Sequence, residues 1–224
     1  MNNQQQNFSF KKTFKSEWYL LLIILIPLIF ALYIYPQLPE QIPTHWDIDG
    51  NVDDYSSKVF AVWFFPLLNL GLYFLLIALP VIDPRRKNYA RFAGPYKIFR
   101  IVFVIFMSSL YLLTLLISLG YSFRVDVFVK FAVSILFIII GNYTAKFQPN
   151  YFVGIKTPWT LANEEVWRKT HRLGGKLWTI AGVICLILSF FTIRWTNYLY
   201  FAVIMVMAFI PVVASYFYYR QLQQ

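Results

Sequence analysis

The sequence predicts an all-α polytopic membrane protein, a bundle of six transmembrane helices with both the N and C termini cytoplasmic. Three observations carry that prediction. Hydrophobic residues make up 59% of the 224 positions and charged residues only 13%, about half the charged share of a soluble domain. The apolar residues come in long unbroken blocks rather than periodic stripes, as segments lying in hydrocarbon do. The basic residues gather at the ends of those blocks. Membrane topology accounts for them there, so the net charge of +10 points to the lipid bilayer as a partner and not to direct nucleic-acid binding.

Taken in order, residues 1–17 are a polar cytoplasmic tail, rich in Gln and Asn, with Lys11, Lys12 and Lys15. The apolar run 18–35 is a retained first span. It is too long for the hydrophobic region of a signal peptide, and no small-residue cleavage site follows it. Pro27 kinks it, which neighbouring helices accommodate in a membrane. Residues 36–58 then interrupt the apolar sequence with three prolines, Gly50 and five acids (Glu40, Asp47, Asp49, Asp53, Asp54) against one base, Lys58. A segment this polar has to face water, so residues 18–82 are a helical hairpin around an acidic loop, 36–58.

The second span is 59–82. A basic loop, 83–100, leads to the third and fourth spans at 101–119 and 127–145, and Lys130 near the start of the fourth can snorkel to the interface. A second basic loop, 146–176, precedes the last two spans at 177–193 and 195–219. Lys and Arg number 16 on the side of the N-terminal tail, the two basic loops and Arg220. Lys58, Arg124, Lys130 and Arg194 lie on the other side. By the positive-inside rule both termini are cytoplasmic and the acidic loop is extracellular.

Catalysis finds little purchase. Cys185 is the single cysteine, so neither an intramolecular disulfide nor a cysteine-rich metal site is possible. His45 and His171 fall on opposite sides of the membrane and cannot share a metal. There is no His-Glu-x-x-His, Gly-x-Ser-x-Gly or phosphate-binding glycine loop. No catalytic residue, metal or cofactor is expected. The Asp47–Asp53 run resembles a calcium loop only superficially, since its glycine falls at the fourth place and Lys58 stands where a bidentate Glu is required.

Two segments are more specific than connectors. In the outer loop, Pro43, His45, Trp46, Asp47, Asp49, Gly50, Asp53 and Lys58 form either a solvated hairpin built on Asp-Gly-Asn turn chemistry or a docking surface anchored by His45 and Trp46. In the inner loop, Asn150, Gly154, Lys156, Thr157 and Pro158 lead to a short helix that Thr160 or Asn163 caps, with Glu164 and Glu165 near its positive end. Glu164, Trp167, Arg168 and His171 fall on one helical face. Trp167 is expected at the headgroup level, with Arg168, Lys169 and Arg172 meeting anionic lipid. That helix either positions the fifth span or docks a partner.

These two segments resemble known signatures. Pro39, Pro43-x-His45-Trp46, Gly50, Asp53 and Ser57-Lys58 are similar to the DUF1648 signature. Asn150-x-x-x-Gly154-Ile155-Lys156-Thr157-Pro158-x-Thr160, followed by Trp167-x-x-x-His171-Arg172-x-Gly174-Gly175, resembles the signature of the SdpI family of bacterial membrane proteins. The resemblance implies immunity to an extracellular antimicrobial peptide toxin, together with transduction of its presence by sequestering a cytoplasmic transcriptional repressor. On that expectation the outer-loop set meets the toxin. Asn150, Gly154, Lys156, Thr157, Pro158, Glu164, Trp167, Arg168, His171 and Arg172 meet the partner. Lys156 stands where many relatives carry arginine, which keeps the charge but not a bidentate contact. A small transporter or exporter and a signalling anchor without an immunity role are the alternatives. A buried charged pair in the bundle, or a continuous polar cavity open to one side, would favour the transporter.

Overall fold

The computed structural model describes residues 8–223; most of the Gln- and Asn-rich tail, residues 1–7, lies outside them. The tail's remainder forms α1 (Phe10–Ser16), which meets α2 (Tyr19–Tyr33) at a bend of 61°. Phe10 and Phe14 of α1 stack on Phe74 at 6.4 and 5.9 Å, so α1 is packed onto the bundle end. Five further helices follow the apolar blocks: α3 (Lys58–Ile82), α4 (Ala93–Ser118), α5 (Val125–Thr144), then, after the short α6 (Pro158–Ala162), α7 (Glu164–Leu188) and α8 (Arg194–Gln221). Among the described residues, five helices are long and apolar enough to cross a membrane, or six when the bent pair α1–α2 counts as one span. Ile26, Ile29, Phe190, Phe201 and Phe209 are each more than half exposed, an apolar outer surface that hydrocarbon covers.

The helices pack in two groups, α2 with α3 and α4, and α7 with α5 and α8, joined along α4 and α5. In the first group Leu20, Ile24, Tyr73, Ile77 and Val104 form a buried cluster. In the second, small residues let backbones touch. A Cβ on Gly141 would meet Thr179 N and Gly175 O at 2.5 and 2.9 Å, and one on Gly182 would meet Ile138 N at 2.8 Å.

The helix of the third span begins at Ala93, inside the expected loop 83–100, and three further features of the fold differ from the sequence expectation. The acidic loop carries two antiparallel strands, β1 (Gln41–Trp46) and β2 (Val52–Ser57), with bulges on either side of His45. The fifth span starts at Glu164 rather than near 177, because the inner-loop helix runs unbroken into it. Lys130 does not snorkel: it is 7% exposed, with Nζ donating to Asn197 Oδ1 at 2.8 Å and to Phe191 O at 3.3 Å. Internal acceptors satisfy the ammonium where it stands.

Candidate functional site

The two motif segments lie at opposite ends of the bundle, and each one clasps the two helix groups together. At the hairpin end, Ile42 of β1 is fully buried among Val62, Tyr111 and Leu115 of the first group. Lys58 fastens the base of the hairpin. Its Nζ donates to Leu38 O at 2.9 Å and Glu40 Oε1 at 3.1 Å and lies 4.8 Å from the centroid of the Tyr35 ring.

The turn is organised by Asp47. Its Oδ1 accepts from the backbone N–H of Asp49 and Asn51 at 2.9 and 2.8 Å, and its Oδ2 from Asn51 Nδ2 at 3.1 Å. The Asn51 side chain above all, with the backbone donors, holds the Asp47 carboxyl below its ordinary range. Gly50 has φ +84, and a Cβ there would meet Asp126 Cβ and N at 3.0 Å. The position demands glycine for conformation and for close approach to α5.

The tip is tied to the second helix group. Asp49 accepts from Asn197 Nδ2 at 3.1 Å and lies 3.3 Å from Arg194 Nε. Asn197 Oδ1 accepts from Lys130, a pairing that fixes the orientation of the amide. Lys130 is 3.6 Å from Asp126, which also holds Arg124 in a two-bond fork at 3.0 and 2.9 Å. Beneath the hairpin lies a cavity of about 320 Å³ walled by Trp46, Ile48, Val125, Val129, Tyr200 and Phe201, with Asp126, Lys130 and Asn197 also lining it.

The sequence-selected outer residues therefore divide. Pro43 and Lys58 are buried, Asp47 and Gly50 shape the turn, and Asp49 anchors the tip. His45 and Asp53 face outward, paired at 2.6 Å from Nδ1 to Oδ1, beside exposed Asp54 and Tyr55. Trp46 is partly buried against the cavity.

At the basic end, Asn150 is fully buried and arranges its own loop. Its Oδ1 accepts from the N–H of Phe152 and Val153 at 2.9 and 2.7 Å, and its Nδ2 donates to Gln148 O and Val153 O, both at 2.9 Å. Gly154 has φ +112, and a Cβ there would collide with His171 Nε2. Ile155 N–H donates to that nitrogen at 3.0 Å, so Nδ1 carries the ring proton and donates to Trp167 O at 2.8 Å. His171 is a saturated, neutral, internal group.

Trp167 does not rest at the headgroup level as expected. It is fully buried, stacks on His171 at 4.0 Å between centroids, and donates Nε1–H to Phe147 O at 2.8 Å. Facing the loop is preferred over the interface because the loop offers both an acceptor and a ring. Thr157 caps α6 through a reciprocal box with Thr160 and meets Ser215 Oγ of α8 at 3.0 Å. Asn163 caps α7. Lys156, Pro158, Glu164, Arg168 and Arg172 are exposed.

This loop grips the first helix group through residues that sequence reasoning did not select. Asp83 Oδ2 accepts from Tyr151 N–H at 2.9 Å and Tyr89 Oη–H at 3.1 Å, Asn88 Nδ2 donates to Pro149 O at 2.7 Å, and Arg85 Nη2 donates to Leu161 O at 3.1 Å. A buried ion pair was missed as well. Arg100 of α4 donates through Nε and Nη2 to Glu17 at 3.0 and 2.6 Å, with both side chains 2% exposed. The only sequence signal for it was an acid standing at the threshold of an apolar run.

The profile of the SdpI/YfhL protein family matches residues 146–215. A domain of unknown function, DUF1648, matches residues 22–70. Over 204 residues the chain is 31% identical to "Immunity protein SdpI" of Bacillus subtilis (strain 168), covering 90% of this chain and 95% of that relative. No solved structure matches the chain.

Proposed function

The chain belongs to the SdpI/YfhL protein family and is a multi-pass protein of the bacterial cytoplasmic membrane, and from that premise we propose that it is a membrane immunity protein against an extracellular peptide toxin. It acts by non-covalent binding, not by catalysis. The observation that carries this reading is the likeness to an immunity protein over nine-tenths of the chain.

The orientation follows from the charge asymmetry, with the hairpin outside and the basic loops inside. The toxin then meets the outward face of the hairpin, where Asp53, Asp54 and His45 offer acceptors to a cationic peptide and the wall of Trp46 and Ile48 offers apolar contact. Inside, exposed Lys156, Arg168 and Arg172 with Glu164 form the surface that recruits a cytoplasmic repressor, while Asn150, Gly154, Thr157, Trp167 and His171 hold that surface in shape.

The transporter reading draws on the buried Glu17–Arg100 pair. It is the weaker reading, because these two groups bind each other at the α1–α2 bend and not along a path. The cavity under the hairpin reaches a different charged pair, Asp126 and Lys130, and shares no lining residue with the crevice at Glu17.

The test is survival of a toxin-sensitive bacterium expressing the protein when challenged with sporulation-delaying-type toxin peptide. Protection that disappears in the Asp53→Asn, Asp54→Asn variant supports the assignment. No protection from protein demonstrated in the membrane refutes it.

A further inference from the structure

We propose that the crevice between α1 and the start of α4 is a binding site for the phosphate headgroup of an anionic phospholipid. The inference is independent of the immunity reading and of which compartment the basic end faces.

The crevice has a volume of about 560 Å³, within the range of sites that hold small molecules. Its lining combines Lys12, Lys97 and Arg100 with the hydroxyls of Ser9, Thr13 and Ser16, and with Gly94. Among the described lining residues the bases outnumber the single acid, Glu17. Glu17 is itself consumed in the fork with Arg100. That fork uses Nε and Nη2 of Arg100, and Nη1 is buried without a hydrogen-bond partner among the described residues. That guanidinium also lies over the rings of Tyr96 and Phe8, at 4.6 and 5.7 Å, so Arg100 lends the crevice its charge while the ammonium groups of Lys12 and Lys97 are the donors a phosphate would meet.

The source is lipid and not a soluble phosphate because of where the crevice lies. One wall is α1, folded back by 61° at the end of a spanning helix. The bend places half-exposed Trp18 beside it, and Tyr19 lies under the Lys97 ammonium at 5.9 Å. Tryptophan and tyrosine at a span end mark the headgroup level, and basic pockets between helices at that level recognise anionic lipid headgroups.

The test is titration of the purified full-length protein, followed by native mass spectrometry, with phosphatidylglycerol and with phosphatidylcholine of identical chains. Phosphatidylglycerol is expected to bind saturably and at least about tenfold more tightly. The Lys12→Gln, Lys97→Gln variant is expected to weaken it by about thirtyfold, from two basic contacts at a membrane surface. Lys11→Gln with Lys15→Gln, exposed lysines of the same helix outside the crevice, should change it by less than about threefold. Gly94→Leu narrows the crevice at a position where an added Cβ meets no atom within 4 Å, and it should also reduce binding while leaving the melting temperature unchanged. Equal affinity for the two lipids, or equal loss in the two double variants, overturns the proposal. Displacement of phosphatidylglycerol by inorganic phosphate at matched concentration overturns the lipid assignment.

Discussion

The Glu17–Arg100 pair sets up the most demanding test of the fold. At 2.6 Å and an effective dielectric near 20, the Coulomb attraction is about 6 kcal/mol, but desolvating both ions cancels most of it. Removing one partner keeps the desolvation and discards the attraction. Glu17→Gln and Arg100→Met should therefore each destabilise by about 3 to 5 kcal/mol. The double variant Glu17→Leu, Arg100→Met, with no charge left to satisfy, should lose far less than the sum. For a chain of this size a loss of 3 to 5 kcal/mol lowers the melting temperature by roughly 6 to 20 °C. The assay is thermal unfolding of the purified protein for the three variants and the parent. Single-variant costs below about 1 kcal/mol, or costs that simply add, would refute the assignment of a desolvated, mutually dependent pair.

Other outcomes follow from the two ends. Asp53→Asn with Asp54→Asn should weaken a cationic peptide ligand by roughly 2- to 30-fold, from two exposed ion pairs, and the difference should shrink in 0.5 M salt; an unchanged binding isotherm would show that these carboxylates do not face the ligand. Gly154→Ala forces a Cβ onto His171 at a positive φ and should cost about 1 to 3 kcal/mol, read as a fall in melting temperature. The depressed Asp47 pKa means that the ionised form contributes stability to the turn, fully present above its ordinary value of 3.8 and lost as the pH falls through the lower folded value. Trp46 emission should thus hold steady from neutral pH to that point and then shift, and Asp47→Asn should abolish the transition. A reporter fused at Asn51 should register the extracellular side; a cytoplasmic signal would invert the proposed topology.

Much of the fold was legible because hydrocarbon imposes it: an apolar block of bilayer length has few other solutions. Legibility failed where charge masked the length of a helix and its buried face. Glu164, Glu165, Arg168, Lys169, Arg172 and Lys176 make the first turns of α7 polar enough to read as a short, separate helix within a loop, although the helix that Asn163 caps runs unbroken into the fifth span and Val166, Trp167, Thr170, His171 and Gly174 form its buried stripe. The hairpin was visible as a turn through Asp49, Gly50 and Asn51, while the organising role of Asp47 was not, and its strands were hidden by Pro43, Asp53 and Asp54, poor strand formers. Contacts between distant positions left no local trace. Arg100 finds Glu17 from 83 residues away, and Asn197 finds Asp49 from 148. The two motif segments were picked out by residue pattern, but pattern alone does not separate a residue that touches a ligand from one that shapes the loop.

The interior position of Trp167, His171, Gly154 and Asn150 has a consequence for genetics. A screen for loss of the proposed output would be dominated by alleles at these positions, since each supports several contacts and tolerates little. None of the four would map the surface a partner touches. Suppressors would be more informative: an allele that restores output from Arg168 or Arg172 by changing another protein reports an interface, whereas one that restores it from Trp167 within this chain reports only repacking.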